Sequence, residues 1–485
     1  MRKNLLANWY KIAFIIVTLT MAVIVRTYRL DAPLADWHSW RQADTAAVAR
    51  NFVKDDFNLL YPQSDSLLAL NETQIPNPNR YFINEFPLYN ASVALLYQQF
   101  GINHIYGRIV SITMSATGLL FLLLLCMKLF AFKVVVVTGI FYALNPYNIF
   151  YGRVFMPDPS FVALSITALY LCVRYVESKK ISHGLLMAAS YALAMLVKPY
   201  AIFMGIPILY WIVTNWGVER TFRNKQSYAL AAISFVPLIL WRIHFTMHPE
   251  GSFASSWLMN GDGIRFKGSF FRWIIFDRFN RLIFATGGFA LFVAGMFRSL
   301  TNKKSMLMFV WLSSVLLYIT VFAKGNVNHD YYQLPIMPVG SILIALGFWW
   351  LVDSARGGLA RIVSLLLASS LIATSFAFGW FEVRGFFNIN NPVIIEAGRR
   401  IDEITPPDAL VVAVYGGDPA FLYQTNRHGW PIGGDIDRYI REGADYYVTT
   451  SFDDEFATLK QKYALIEQTD AYAIIRLQAV SEVEP

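Results

Sequence analysis

The sequence predicts a polytopic α-helical membrane protein with external amphipathic loop helices and a small C-terminal α/β domain. Three observations carry this expectation. Of 485 residues, 56% are hydrophobic and only 15% are charged, against roughly 25% charged in an ordinary soluble domain. Apolar stretches of about the length needed to cross a bilayer recur along most of the chain. From Gly385 onward the composition changes sharply, to 24 charged residues in 101.

Eleven apolar stretches are expected to be membrane helices: 12–30, 108–127, 133–151, 159–176, 184–197, 200–215, 226–243, 281–297, 305–323, 335–352 and 360–381. The first follows Arg2 and Lys3 as a signal peptide would. Its apolar part runs on to Ile24 and Val25 without a small-residue cleavage pattern, so it is expected to stay as an anchor. At Lys198 and Pro199 a break is expected, because proline interrupts the helical hydrogen-bond ladder.

Lys and Arg in the short connections set the orientation. With the N-terminus inside, the cytoplasmic segments hold 16 cations against the acids Glu177, Glu219 and Asp353, whereas the opposite short turns carry Arg153, Lys198 and Lys324. The net charge of +8 therefore divides into unlike parts. Residues 1–384 hold 33 bases and 17 acids, and the tail 8 bases and 16 acids. The basic excess is a topology signal, and no nucleic-acid footprint remains. Cys126 and Cys172 lie inside apolar runs and predict no disulfide framework.

Two domains are expected: a transmembrane module over 1–384, whose first external loop spans 31–107, and an external α/β domain over 385–485. In the loop, 42–54 and 86–100 read as helices, the second lying along the membrane interface. Residues 61–80, rich in Pro, Asn and Ser, read as irregular. In the tail, strands are expected at 409–415, 445–450 and 471–477 and helices at 419–423, 436–441 and 453–463, giving a partly parallel sheet. Gly416 and Gly417 lack the third glycine of a phosphate-binding loop and read as a turn.

The spans contain almost no ionisable residues away from their ends, which disfavours a transport pathway. The external face instead gathers Asp36, His38, Arg41, Asp44, Arg50, Glu85, Arg153, Asp158, Lys198, His329 and Asp330 from distant parts of the chain.

Five short runs carry a resemblance. They are the run from Asp36 through His38, Arg41 and Asp44 to Arg50 and Asn51; Asn84, Glu85, Phe86, Pro87 and Leu88; Arg153 to Asp158; Leu196 to Pro199; and His329 to Pro335. In this order and on this membrane side, over about residues 10–350, the chain resembles the GT-C superfamily of membrane glycosyltransferases. Within it the likeness is to the family 39 group, which includes protein O-mannosyltransferases and the lipid A aminoarabinose transferase. One departure is Phe86, which stands where relatives carry Lys or His.

The resemblance implies an inverting glycosyltransferase, moving a monosaccharide from a polyprenyl-phosphate donor to an acceptor hydroxyl on a lipid, glycan or protein at the outer face. It also implies an integral protein of a bacterial inner membrane, in contact with membrane lipids, with its site and tail on the periplasmic side. Such chemistry needs a carboxylate to take the acceptor proton and cations for the departing phosphate. Asp44 matches the first-loop acid and is assigned the base. Asp158 matches the second acid and is assigned as catalytic with Asp44, although an Asp before a proline is also how a helix N-cap reads. Substrate binding is assigned to Arg41, His38, Glu85, Arg153, Lys198, His329, Tyr331 and Tyr332, the two tyrosines reading equally as residues of the interfacial aromatic belt. No cofactor is required. A divalent metal on His38, His329, Asp36 and Glu85 is the lesser expectation. The competing class is a transporter or flippase for lipid-linked sugars, which needs polar residues deep among the helices.

Overall fold

A computed structural model describes residues 9–69, 71–253 and 255–477. Arg2 and Lys3 of the expected anchor lie outside these. The chain divides into two compact units, one of 1–30, 108–243 and 255–386, the other of 31–107, 244–254 and 387–485.

The first unit is a bundle of apolar helices, and the protein is an integral membrane protein. Among the described residues, seven helices are long and apolar enough to cross a bilayer: Trp9–Arg26, Ile105–Leu129, Asp158–Ser178, Lys225–Met247, Lys303–Val321, Ile336–Ser354 and Gly358–Phe387. The bent pair Gly268–Ile283 and Gly287–Ser299 makes an eighth if it counts as one span. All eleven expected stretches are helical, but three are shorter or broken, and proline is the main cause. The stretch 133–151 stops at Leu144, because the Asn145 side chain caps a new helix, accepting from the Asn148 amide, and Pro146 opens that helix. Lys198 is extended, and Pro199 begins a 3-10 turn ahead of Gly205–Trp216, so the chain breaks where the sequence expects. The stretch 281–297 bends by 117° after a π-helical segment, at Ala285 and Thr286, both in the left-handed region.

The Ile336–Ser354 helix is buried along most of its length. It approaches Gly287–Ser299 so closely that a Cβ at Gly295 would collide with the carbonyl oxygen of Leu343, and one at Gly347 with that of Leu291. Helices in lipid associate through such close packing, since the tails around them are as apolar as the helices themselves.

The second unit is built on a five-stranded sheet of order β2-β1-β3-β5-β4. Its strands are β1 (Leu410–Val414), β2 (His428–Trp430), β3 (Ala444–Thr449), β4 (Ala464–Gln468) and β5 (Ala473–Arg476). β1 pairs in parallel with β2 and β3, and β5 antiparallel with β3 and β4. Side chains alternate across the sheet. Val411, Ala413, Val448 and Ile474 face a cluster with Ile394, Ile401 and Phe421, while Val412, Tyr447 and Ile475 face one with Trp430, Phe456 and Leu459. Gly416 and Gly417 both have positive φ, 62° and 86°, and make the turn after β1.

Two parts of the 31–107 segment complete this unit. The Ser39–Lys54 helix is buried over almost its whole length, and its Ala43 sits in the same cluster as Phe421. It is therefore not the half-exposed amphipathic helix that the sequence suggests. Its run of alanines both favours helix and lets neighbours approach on every side. Residues 64–67, irregular as expected, bond to Gly429 from both directions and cover the open edge of β2. The second loop helix, Leu88–Phe100, buries Tyr89, Val93, Ala94 and Tyr97 and leaves Leu95 and Phe100 exposed.

Replacing Gly295 by valine forces apart the two closest helices of the first unit. Overpacking of this kind costs about 1–3 kcal/mol, so a thermal melt of the purified variant in detergent is expected several degrees below wild type; an unchanged melt would exclude close helix contact there.

Candidate functional site

Within the second unit, the Ser39–Lys54 helix presents the residues of the first sequence run. His38 precedes it in the left-handed conformation (φ 57°), its ring 5.1 Å from that of Trp37. Gln42 donates to Asp36 at 2.5 Å, which ties the helix to its approach segment. Arg41 and Glu85, both assigned to substrate binding, come together: one guanidinium nitrogen reaches both carboxylate oxygens, at 2.7 and 2.8 Å.

Asp44 lies one turn after Arg41, with 6% of its surface exposed. Among the described residues nothing donates a hydrogen bond to its carboxylate. Burial pushes it up to about 7; the Arg41 charge pulls down, and Asp418, Asp65 and Glu85 add to the rise. Asp418 follows the Gly416–Gly417 turn, and burial raises it to about 6 although the Ala420 amide donates to it. Sequence reasoning missed Asp418, since no motif marks it. A carboxylate poised near neutrality is suited to take and return a proton.

Arg50 has a different setting. It donates to Asp65 at 2.5 Å and to the Tyr423 carbonyl at 3.0 Å, and its guanidinium lies 4.3 Å from the Tyr423 ring centroid. Asn51 and His428 also approach Asp65. The Arg50 charge holds the Asp65 carboxyl below its usual range, and Asp55 and Asp65 hold His428 above its own. Another pattern missed from sequence is His244 and His248, spaced four apart with ring centroids 4.6 Å apart; His244 bonds the Leu60 carbonyl and His248 lies 3.2 Å from Glu250. Among the described residues no group of three or more His, Cys, Asp or Glu is arranged to hold a metal.

Within the first unit, Lys198 and Asp158 come together. Their charged atoms are 3.7 Å apart, and both side chains are buried. Asp158 is the first residue of its helix, which starts behind Pro157 with no side-chain cap, so the capping expectation falls one position off. The Lys198 ammonium lies 5.8 Å from the Tyr332 ring centroid, and Tyr200 donates to the Tyr332 hydroxyl at 3.5 Å. Tyr331 and Tyr332 are buried, packed on each other and on His329, so the belt expectation is corrected. Their place is fixed by Asp330, which accepts from Tyr151 at 2.5 Å while its carbonyl accepts from Tyr147. Arg278, from the π-helical segment, is 3.9 Å from the same carboxylate. Arg153 is fully buried and donates to the Arg29 carbonyl at 3.0 Å.

Residues 84–241 match the family model described as dolichyl-phosphate-mannose-protein mannosyltransferase. No curated protein sequence matches the chain. Among solved structures, ArnT from Cupriavidus metallidurans bound to undecaprenyl phosphate is similar over 98% of this chain and 99% of its own, with a TM-score of 0.67 and 12% identity. The Archaeoglobus fulgidus oligosaccharyltransferase is similar over 91% of this chain and 70% of its own (0.60, 12%). The arabinofuranosyltransferase AftD from Mycobacteria is similar over 96% and 40% (0.59, 13%). The fold is thus the one these three transferases share, and three of the five short runs, those beginning at Asn84, Arg153 and Leu196, fall within the residues that match the family model.

Because burial raises Asp44 above its unfolded value of 3.8, ionising it opposes folding. The stability it allows is full below about pH 4 and is lost as pH rises through about 7. Asp44→Asn, which cannot ionise, is expected to melt above wild type by a margin that widens between pH 5 and pH 8, on the order of 2–3 kcal/mol. A constant margin across that range would mean an ordinary carboxyl.

Proposed function

We propose that the protein is an inverting glycosyltransferase that moves a monosaccharide from a polyprenyl-phosphate donor to an acceptor hydroxyl on a lipid, glycan or protein. The reading rests above all on Asp44, a carboxylate buried on an external loop helix, accepting no hydrogen bond among the described residues and pushed up to about 7. It is supported by the fold shared with ArnT, whose structure contains undecaprenyl phosphate. The positive-inside bias supports an outer-face position for the loop and the tail, and the family resemblance makes that face the periplasmic side of a bacterial inner membrane.

The reaction is a single displacement. The acceptor oxygen forms a bond to the anomeric carbon from the face opposite the phosphate and gives its proton to the Asp44 carboxylate. The bond from anomeric carbon to phosphate oxygen breaks, and polyprenyl phosphate leaves with the electron pair. Lys198 meets the charge that grows on this leaving group. Asp158, 3.7 Å from the Lys198 ammonium, holds it in place. Arg41, Glu85 and His38, which share the second unit with Asp44, are assigned to substrate binding, as are His329, Tyr331 and Tyr332 of the first unit. Neither step calls for a metal or an organic cofactor.

Transfer of labelled sugar from a polyprenyl-phosphate donor, measured in membranes carrying each variant, tests this. Asp44→Asn is expected to lower kcat by about 10²–10⁴ with little change in donor KM, whereas Lys198→Gln raises donor KM as well. Wild-type kcat should climb with pH through about 7, as Asp44 loses its proton. Transfer by Asp44→Asn at the normal rate would remove the base assignment. Lipid-linked sugar crossing vesicles without any transfer would replace the enzyme by a flippase.

A further inference from the structure

We propose that a cleft at one end of the helix bundle binds the headgroup of an anionic phospholipid, apart from any donor site. The cleft has a volume of about 370 Å³ and is walled by the helices Phe132–Leu144, Gly287–Ser299, Lys303–Val321 and Ile336–Ser354. These are the helix ends that the Lys and Arg bias assigns to the cytoplasm. Its volume falls within the roughly 300–1,000 Å³ of small-molecule pockets.

The lining is sorted as a lipid headgroup would require. Lys133 and Arg298 contribute charge to the lining, and Phe130, Val134 and Leu346 contribute apolar surface. Asp353 is the one acid among the lining residues, and two cations already answer it, Lys133 at 2.5 Å and Arg361 at 3.4 Å. The cluster of Lys133, Arg298, Arg361 and Asp353 therefore keeps a positive excess. Lys133 is held rather than loose: its ammonium lies 4.6 Å from the Trp349 ring centroid, and the Trp349 indole donates to its carbonyl at 2.8 Å. Trp350 beside it is 46% exposed, as suits an aromatic at headgroup depth. Basic pockets between membrane helices on the cytoplasmic side are where anionic headgroups bind. A soluble anion would leave the apolar surface unused, and a zwitterionic lipid would bring its own cation against Arg298.

Native mass spectrometry of the full chain in detergent, titrated with phosphatidylglycerol, phosphatidylcholine or inorganic phosphate, tests this. Phosphatidylglycerol is expected to be retained in preference to phosphatidylcholine. The Lys133→Gln, Arg298→Gln double variant should bind it about thirtyfold more weakly, and Arg298→Gln alone about fivefold, the scale for one or two charges at a membrane surface. Arg298→Gln leaves the Lys133 pair with Asp353 intact, so its result does not depend on that pair. Lys133→Arg is expected to bind as wild type does. Equal retention of the two lipids, undiminished phosphatidylglycerol binding by Arg298→Gln, or its displacement by millimolar phosphate would each overturn the assignment.

Discussion

The second unit depends on burying a charged helix against the sheet of the tail. The Ser39–Lys54 helix has Ala43 in the apolar cluster with Phe421, and seven residues later Arg50 reaches into a pocket made by Asp65 and Tyr423. A buried pair of this kind adds little net stability over an apolar replacement, but losing one partner costs about 3–5 kcal/mol. Its use here is registry. Arg50 finds its partners in only one seating of the helix, and that seating also takes Asp44 out of water. The strength of Asp44 as a base is thus a consequence of packing by alanines and an arginine that do no chemistry themselves.

In the first unit the buried cations do two kinds of work. Arg26 donates to the carbonyls of Ala22, Ala143 and Asn148, Arg108 to that of Leu30 and Arg153 to that of Arg29. Helix ends and breaks at membrane depth free carbonyl oxygens that lipid cannot satisfy, and a guanidinium with its five donors covers several at once. These arginines close the backbone where the first span ends and where Asn145 and Pro146 interrupt the 133–151 stretch. Lys198 faces the Asp158 carboxylate at 3.7 Å and lies 5.8 Å from the Tyr332 ring centroid.

Hydropathy made the bundle legible, since lipid selects on composition summed over a span. The same summation hides breaks: Asn145 and Pro146, or Ala285 and Thr286, barely lower a window average yet end a helix. In the tail the strands with two apolar faces, β1, β3 and β5, stood out. β2 did not, because three residues with a central glycine carry no period, nor did β4, whose Leu465 and Ile466 are exposed at the sheet edge. The Val393–Ile404 helix was also missed. Arg41, Asp44, Glu85, Asp158 and Lys198 were singled out through short runs that each sit on one element. Asp330 and Asp418 acquire their meaning from Tyr151, Arg278 and Asp44, which lie far away in sequence.

The balance at Asp44 turns on what Arg41 does. A guanidinium one helical turn away would ordinarily pair with such a carboxylate and hold it ionised but weakly basic. Here one guanidinium nitrogen of Arg41 is held by both oxygens of Glu85, and Asp418, Asp65 and Glu85 contribute negative potential that acts against the arginine. Glu85 therefore has a function that needs no contact with substrate, which is to keep Arg41 from neutralising its neighbour. Such an arrangement also explains why an acid is useful at this point of the loop although Phe86, the residue after it, departs from the family pattern. The pair of Arg41 and Glu85 is close to neutral as a unit, and a neutral unit beside a buried carboxylate leaves desolvation to decide its proton affinity.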